Sequence, residues 1–87
     1  MFIILVYDVN VARVAKALKT CRRYLNWVQN SVFEGEITKA QMEALKQNLK
    51  KVLDLKEDSV LIYQFRSTKY FSRETMGVER NELTQFL

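Results

Sequence analysis

Asp8 is the residue whose type and place most clearly invite chemistry. It closes an unbroken apolar run, Met1–Tyr7 (MFIILVY), and stands just ahead of a helical pattern. A carboxylate at the end of a strand is fixed by rigid neighbours and open to solvent. Such an Asp can cap the following helix by accepting a first-turn N–H. It can also hold a hard cation such as Mg²⁺, which takes one or two carboxylates and completes its shell with water and phosphate oxygens. One carboxylate is few for a metal. A two-fold dimer would supply the second, because an isologous interface brings identical residues together.

A second feature is basic. No acidic residue occurs between Val9 and Phe33, and Arg13, Lys16, Lys19, Arg22 and Arg23 all lie there. A helix with one basic and one apolar face can bind phosphates, and it can equally be a solvated outer face. The third is Asn26–Glu36 (NWVQNSVFEGE). Trp27 and Phe33 suit core or interface positions. Ser31 can donate to a phosphate or close a turn. Glu34 and Glu36 are either further metal ligands or solvated bend residues. Tyr7 flanks Asp8 on the strand, and Cys21 reads as a small core residue.

The absences narrow the chemistry. With no histidine, Cys/His zinc sites and Ser-His or Cys-His nucleophile pairs are excluded. A single cysteine excludes an internal disulfide framework. The net charge of +4 favours a polyanionic partner. Eighty-seven residues make one domain, 1–87, with a thin stability margin that pairing with a second copy would relieve. The apolar N-terminal run lacks a basic leader and is too short to span a bilayer, so no membrane association and a cytoplasmic location are expected.

The elements that must position these groups follow from periodicity. Asn10–Leu25 reads as a helix with Val11, Val14, Leu18, Cys21 and Leu25 on its apolar face, and with Lys16, Lys19 and Arg23 opposite. Asp8 or Asn10 supplies its N-cap. Met1–Tyr7 reads as a strand buried on both faces. Trp27–Ile37 reads as two short strands with a turn or bulge at Asn30-Ser31 and a bend at Glu34-Gly35-Glu36. Thr38 and Gln41 form a capping-box pattern ahead of a second helix whose apolar face is Met42, Leu45, Leu49, Val52 and Leu53. Lys56-Glu57-Asp58 is a polar break, Asp58–Phe65 a strand, Thr68–Met76 one more candidate strand, and Val78–Leu87 an ambiguous tail. The order β-α-β-β-α-β is that of an α+β, ferredoxin-like sandwich with a C-terminal extension. Its two helices cover one face of the sheet, and a second copy is the natural cover for the other.

Together, the strand ending in Tyr7-Asp8, the Arg13-Val14-Ala15 triplet and the run Val28–Glu36 (VQNSVFEGE) resemble the small CRISPR-associated adaptation endonuclease family. The likeness runs over Met1–Phe65 in motif order. It implies a homodimer with the two sheets face to face, in which residues 66–87 pack on the partner and Thr68–Met76 is the exchanged strand. It implies Mg²⁺ (or Mn²⁺) held by Asp8 from each chain, with Tyr7, Arg13, Ser31 and Phe33 lining or supporting that cleft. It also implies a role in spacer acquisition beside the CRISPR integrase, and hydrolysis of single-stranded RNA, duplex DNA or both. In that reading Arg13 is the nearest cation, Ser31 orients phosphate, and Arg13, Lys16, Lys19, Arg22 and Arg23 hold the nucleic acid. Trp27 departs from the pattern, since some members carry a basic residue there. The competing reading is a non-catalytic dimeric scaffold that binds protospacer DNA and bridges integrase dimers. A toxin-like RNA nuclease and a small-ligand sensor are weaker readings on the same fold.

Overall fold

The computed structural model describes residues 1–80. Four strands and two helices run in the order β1 (Phe2–Asp8), α1 (Val11–Arg22), β2 (Asn26–Gln29), β3 (Val32–Glu36), α2 (Lys39–Val52) and β4 (Ser59–Phe65). The sheet is antiparallel throughout, in the order β2-β3-β1-β4. This is the ferredoxin-like arrangement expected from the sequence.

Register assigns the faces, because side chains alternate along a strand and directly paired residues share a side. Ile3, Leu5 and Tyr7 of β1 lie with Phe33 of β3 and with Val60 and Ile62 of β4 on the helix side. Phe2, Ile4, Val6 and Asp8 lie with Phe65, Tyr63, Leu61 and Ser59 on the open side. The core sits under the helices and is built from Ile3, Leu5, Tyr7, Phe33 and Ile37 of the sheet, Ala17 and Cys21 of α1, and Met42, Leu45 and Leu49 of α2. β1 is therefore not buried equally on both faces. Ile4 and Val6 are only half-buried, since the chain's two helices cover a single side.

Asn10 caps α1, its side-chain oxygen accepting from the Ala12 N–H at 2.9 Å. The expected face of α1 is rotated. Val11 is 85% exposed, and the stripe against the sheet includes Ala17, Thr20 and Cys21. Small side chains there let the helix sit close to the strands, and Thr20 satisfies its hydroxyl on the Lys16 carbonyl one turn back, at 2.9 Å. At α2, the Thr38 and Gln41 capping box forms as expected. Asn30, with φ of 42°, and a register shift between Trp27 and Gln29 make the turn and bulge of the β2–β3 hairpin. The bend expected at Glu34-Gly35-Glu36 is absent. Five consecutive pairs with β1 keep that segment straight.

The strand expected over Thr68–Met76 does not form within the single chain. Thr68–Tyr70 is a short 3-10 turn, and 71–80 has no ladder. Its side chains instead dress the open face. Phe71 packs on Phe2 and Phe65 with ring centroids 5.0 and 5.4 Å apart. Arg73 reaches Glu34 at 3.4 Å, and residues 73–76 lie beside Val28 and Gln29. Of the ambiguous tail Val78–Leu87, residues 78–80 carry no regular structure, and 81–87 lie outside the described residues.

Candidate functional site

β1 carries Asp8 to the rim of the open face, opposite Ser59 of β4. The carboxylate is exposed, and among the described residues no hydrogen bond or ion pair reaches it. It does not cap α1, because Asn10 takes that role. The part of its face nearest to it is apolar: Ile4 and Val6 are half-buried, while Leu61 and Tyr63 stay 56% and 53% exposed, and Glu34 and Glu36 share this side farther along β3. An unpaired carboxylate beside the exposed apolar residues Leu61 and Tyr63 is thus the most conspicuous chemical feature of the open side.

Tyr7 and Phe33 stand behind it rather than beside it. Both are buried, with ring centroids 6.1 Å apart at 29°, and they belong to the helix-side core. Burial raises the Tyr7 phenol above its ordinary value, so it stays protonated at neutral pH. Neither residue lines an open cleft; they brace the end of β1. Ser31 contributes its carbonyl, which accepts the Tyr7 N–H at 3.1 Å and extends the pinning of β1 beyond the β3 ladder. Cys21 is fully buried in the same core, and its thiol is pushed up to about 12 by desolvation, which leaves it unreactive.

Arg13 is separated from the other basic residues by its bonding. Its Nε donates to Asp58 Oδ2 at 2.7 Å, and one Nη donates to Asp58 Oδ1 at 3.1 Å and to Glu57 at 2.6 Å. Asp58 also accepts the Asn10 and Asp54 backbone N–H groups, each at 2.9 Å. Its side chain is fully buried, and the guanidinium with those two amides holds its carboxyl well below the usual carboxylate range. Arg13 therefore meets carboxylates of its own chain and is not displayed as a free cation near Asp8.

Sequence reasoning took the Lys56-Glu57-Asp58 segment for a polar break and missed this clasp. A signal was present, since Arg13 stands four residues before Ala17 and eight before Cys21, on the stripe that faces the core. An arginine on such a stripe needs a counter-charge.

The other basic residues of the Val9–Phe33 stretch stay on the outside of the helix layer. Lys16, Lys19 and Arg23 line a shallow depression with Thr20 and Val52, between the two helices. Arg22 lies in the last turn of α1, where the helix dipole favours positive charge. The Arg23 guanidinium sits 5.5 Å from the Tyr24 ring centroid. These groups form a basic surface on the face of the sheet opposite Asp8. Glu34 and Glu36 do not join Asp8. They are on β3, where one pairs with Arg73 and the other with the N-terminal amine at 3.4 Å. Trp27 is half-buried and donates its indole N–H to the Asn30 carbonyl at 2.9 Å, so it closes the hairpin.

The donor set tests the cation reading directly. Among the described residues no three His, Cys, Asp or Glu side chains cluster as a metal site. Asp8 of one chain is a single hard oxygen donor, so a cation would need a second copy to be held by protein on two sides. No helix among the described residues is long and apolar enough to cross a membrane.

A ferredoxin-like α+β sandwich with one bare carboxylate at a strand end and a basic helix layer defines the class. The chain belongs to the CRISPR associated protein Cas2 family, whose model matches residues 1–73. A protein from Dictyoglomus turgidum named CRISPR-associated endoribonuclease Cas2 is 49% identical over 87 residues, covering all of both chains. One of the same name from Pyrococcus furiosus is 52% identical over 87 residues, again covering both in full. A crystal structure of Cas2 superposes with a TM-score of 0.83 at 48% identity, covering 92% of this chain and 90% of that one.

Proposed function

We propose that this chain is a divalent-cation-dependent endoribonuclease that works as a two-fold dimer in CRISPR adaptation, beside the CRISPR integrase. The observation that carries the reading is the placement of Asp8: exposed, without a partner among the described residues, and on the rim of an apolar sheet face that a second copy can cover. The names of the Dictyoglomus and Pyrococcus relatives support RNA as substrate, and single-stranded RNA is the form proposed.

Asp8 from each chain would hold Mg²⁺, with Mn²⁺ as an alternative hard cation. When bound, the ion supplies Lewis-acid stabilisation of phosphate charge and acidifies water. The chain's own residues do the rest. Tyr7, Phe33 and the Ser31 carbonyl hold the end of β1 rigid, so that Asp8 is presented from a fixed backbone. Lys16, Lys19, Arg22 and Arg23 neutralise phosphates along α1 and keep the strand on the protein. No histidine is present to act as general base, so protons leave through solvent. Of the expected 66–87 extension, residues 66–80, which include Phe71 and Arg73, would complete the dimer by packing on the partner, and 81–87 lie outside the described residues.

The test is Mg²⁺-dependent cleavage of labelled single-stranded RNA by wild type and Asp8→Asn, each first shown to be a folded dimer. Cleavage that requires the cation and disappears in the variant, with RNA binding retained, is the expected result. Equal activity in both would remove Asp8 from the site. Salt-sensitive binding of duplex DNA without any cleavage would favour the scaffold instead.

A further inference from the structure

We propose that Asp58 is the positioning residue for Asp8, an inference that rests on reading Asp8 as the cation-holding carboxylate. The two aspartates sit at the same end of adjacent strands. Asp8 pairs with Ser59, the residue that follows Asp58. Asp58 points to the helix side, where its fully buried carboxylate accepts four hydrogen bonds, two on each oxygen. Those bonds come from three separate segments. Asn10 lies in the turn leaving β1, Arg13 in the first turn of α1, and Asp54 in the loop ahead of β4.

The effect on Asp8 is geometric. Its backbone is fixed on one side by the ladder to Ser59, and two residues later by the Asn10 N–H bonded to Asp58 at 2.9 Å. Among the described residues no hydrogen bond or ion pair holds the Asp8 carboxylate, so its placement depends on how firmly its backbone is held. A carboxylate that must meet a cation shared across a two-fold axis cannot swing freely without losing affinity. Arg13 acts through Asp58 in the same way: its fork fills both carboxylate oxygens and so holds the first turn of α1 in register with β4. Glu57, exposed at the outer edge, takes only one of the guanidinium's contacts.

The test uses the full chain and three variants, Asp58→Asn, Arg13→Lys and Glu57→Gln. All are measured at a temperature where circular dichroism shows each to be folded. Backbone ¹⁵N relaxation reads the order of Val9 and Asn10, and calorimetric titration with Mn²⁺ reads the cation site. For Asp58→Asn, the order parameters of Val9 and Asn10 are expected to fall from about 0.85 to below about 0.6. Its Mn²⁺ affinity is expected to fall about 10- to 100-fold, the usual loss when an outer-shell partner of a metal ligand is removed. Glu57→Gln should change neither. An Asp58→Asn chain that melts earlier yet keeps wild-type order and affinity overturns the proposal and leaves Asp58 a structural brace. If Asp58→Asn does not fold, Arg13→Lys decides, because it keeps the charge and loses the fork. A smaller change in the same direction supports the proposal, and none overturns it. A wild type that binds no Mn²⁺ would overturn the cation reading of Asp8, while the order parameters would still decide whether Asp58 fixes the turn.

Discussion

Asp8 and Asp58 are the same side chain at the same end of the sheet, and the fold treats them oppositely. Asp58 lies under α1 with every contact filled: one arginine, two backbone amides and no solvent. Asp8 lies one register step away on the other face, exposed and, among the described residues, unpaired. The difference comes from strand alternation, which sends neighbouring positions to opposite sides. It teaches which carboxylate can work on something outside the chain. A satisfied, desolvated Asp58 stabilises the fold and has little left to offer a ligand. A bare Asp8 adds little to stability and keeps its full coordinating capacity.

Asp8→Asn should lower cation-dependent RNA cleavage by more than about 100-fold, beyond the usual loss for an outer-shell partner. Stability should hardly move, since an exposed substitution is worth within about 0.5 kcal/mol, or a few degrees in Tm. Cleavage assays with parallel melting curves check it. A large loss of Tm would mean that Asp8 is structural after all.

Phe33→Ala strikes the brace instead of the ligand. The ring is fully buried and stacks on Tyr7, so its removal should cost about 3–5 kcal/mol by denaturant unfolding. Activity should fall further than the folded fraction, because the end of β1 that presents Asp8 loses part of its brace.

Asp58→Asn tests the satisfied carboxylate through pH. In the folded chain Asp58 titrates below its ordinary value of 3.8, because Arg13 and two backbone amides favour its charged form. The native state thus takes up this proton less readily than the unfolded chain. Its stabilisation is complete above about pH 5 and is lost as pH falls through 3.8 and on towards the lower native value. Wild type should therefore lose stability steeply below about pH 4. The variant should start about 10 °C lower in Tm at neutral pH and show a shallower acid limb. Melting curves between pH 2.5 and 7 measure both effects.

What was legible in the sequence follows the same division. Strands, helices and topology were readable because each has a strong local period, and the Thr38–Gln41 box and the Asn30 turn are local chemistry. Asp8 was legible because its place depends only on the strand before it. Asp58 was not, because its meaning lies in Asn10 and Arg13, more than forty residues away. The rotation of α1 was hidden for a related reason. Val11 has the right type for the core, but Ala17, Thr20 and Cys21 are small enough to let the helix approach, and that choice belongs to the packing of the sheet. The segment Thr68–Met76 alternates like a strand, yet a strand needs an edge to pair with. Within one chain its Phe71 finds Phe2 and Phe65 instead.

The open face gives a prediction that links the two aspartates to assembly. Leu61→Glu places a charge among Ile4, Val6 and Tyr63, where the wild-type side chain is already 56% exposed in the single chain. Monomer stability should change by less than about 1 kcal/mol, since little burial is lost. Sedimentation should shift from dimer towards monomer, and cleavage should fall with the dimer fraction, because one chain provides only one Asp8. A monomeric variant with full activity would sever the site from the interface.

The smallest expected effect concerns the basic layer. Lys16 and Lys19 lie on the far side of the sheet from Asp8, so Lys16→Ala and Lys19→Ala should leave cation binding intact. Each is expected to remove one phosphate contact and one released counterion. The slope of log K for single-stranded RNA against log salt should therefore become shallower by about 0.7 per variant. Affinity at low salt should fall by similar amounts across RNA sequences, because a lysine reads phosphate as a point charge and not base identity. Filter binding at several salt concentrations reads the slope. An unchanged slope in both variants would mean that the outer face of α1 is only solvated, and it would transfer the nucleic acid to the side of the sheet where Asp8 stands.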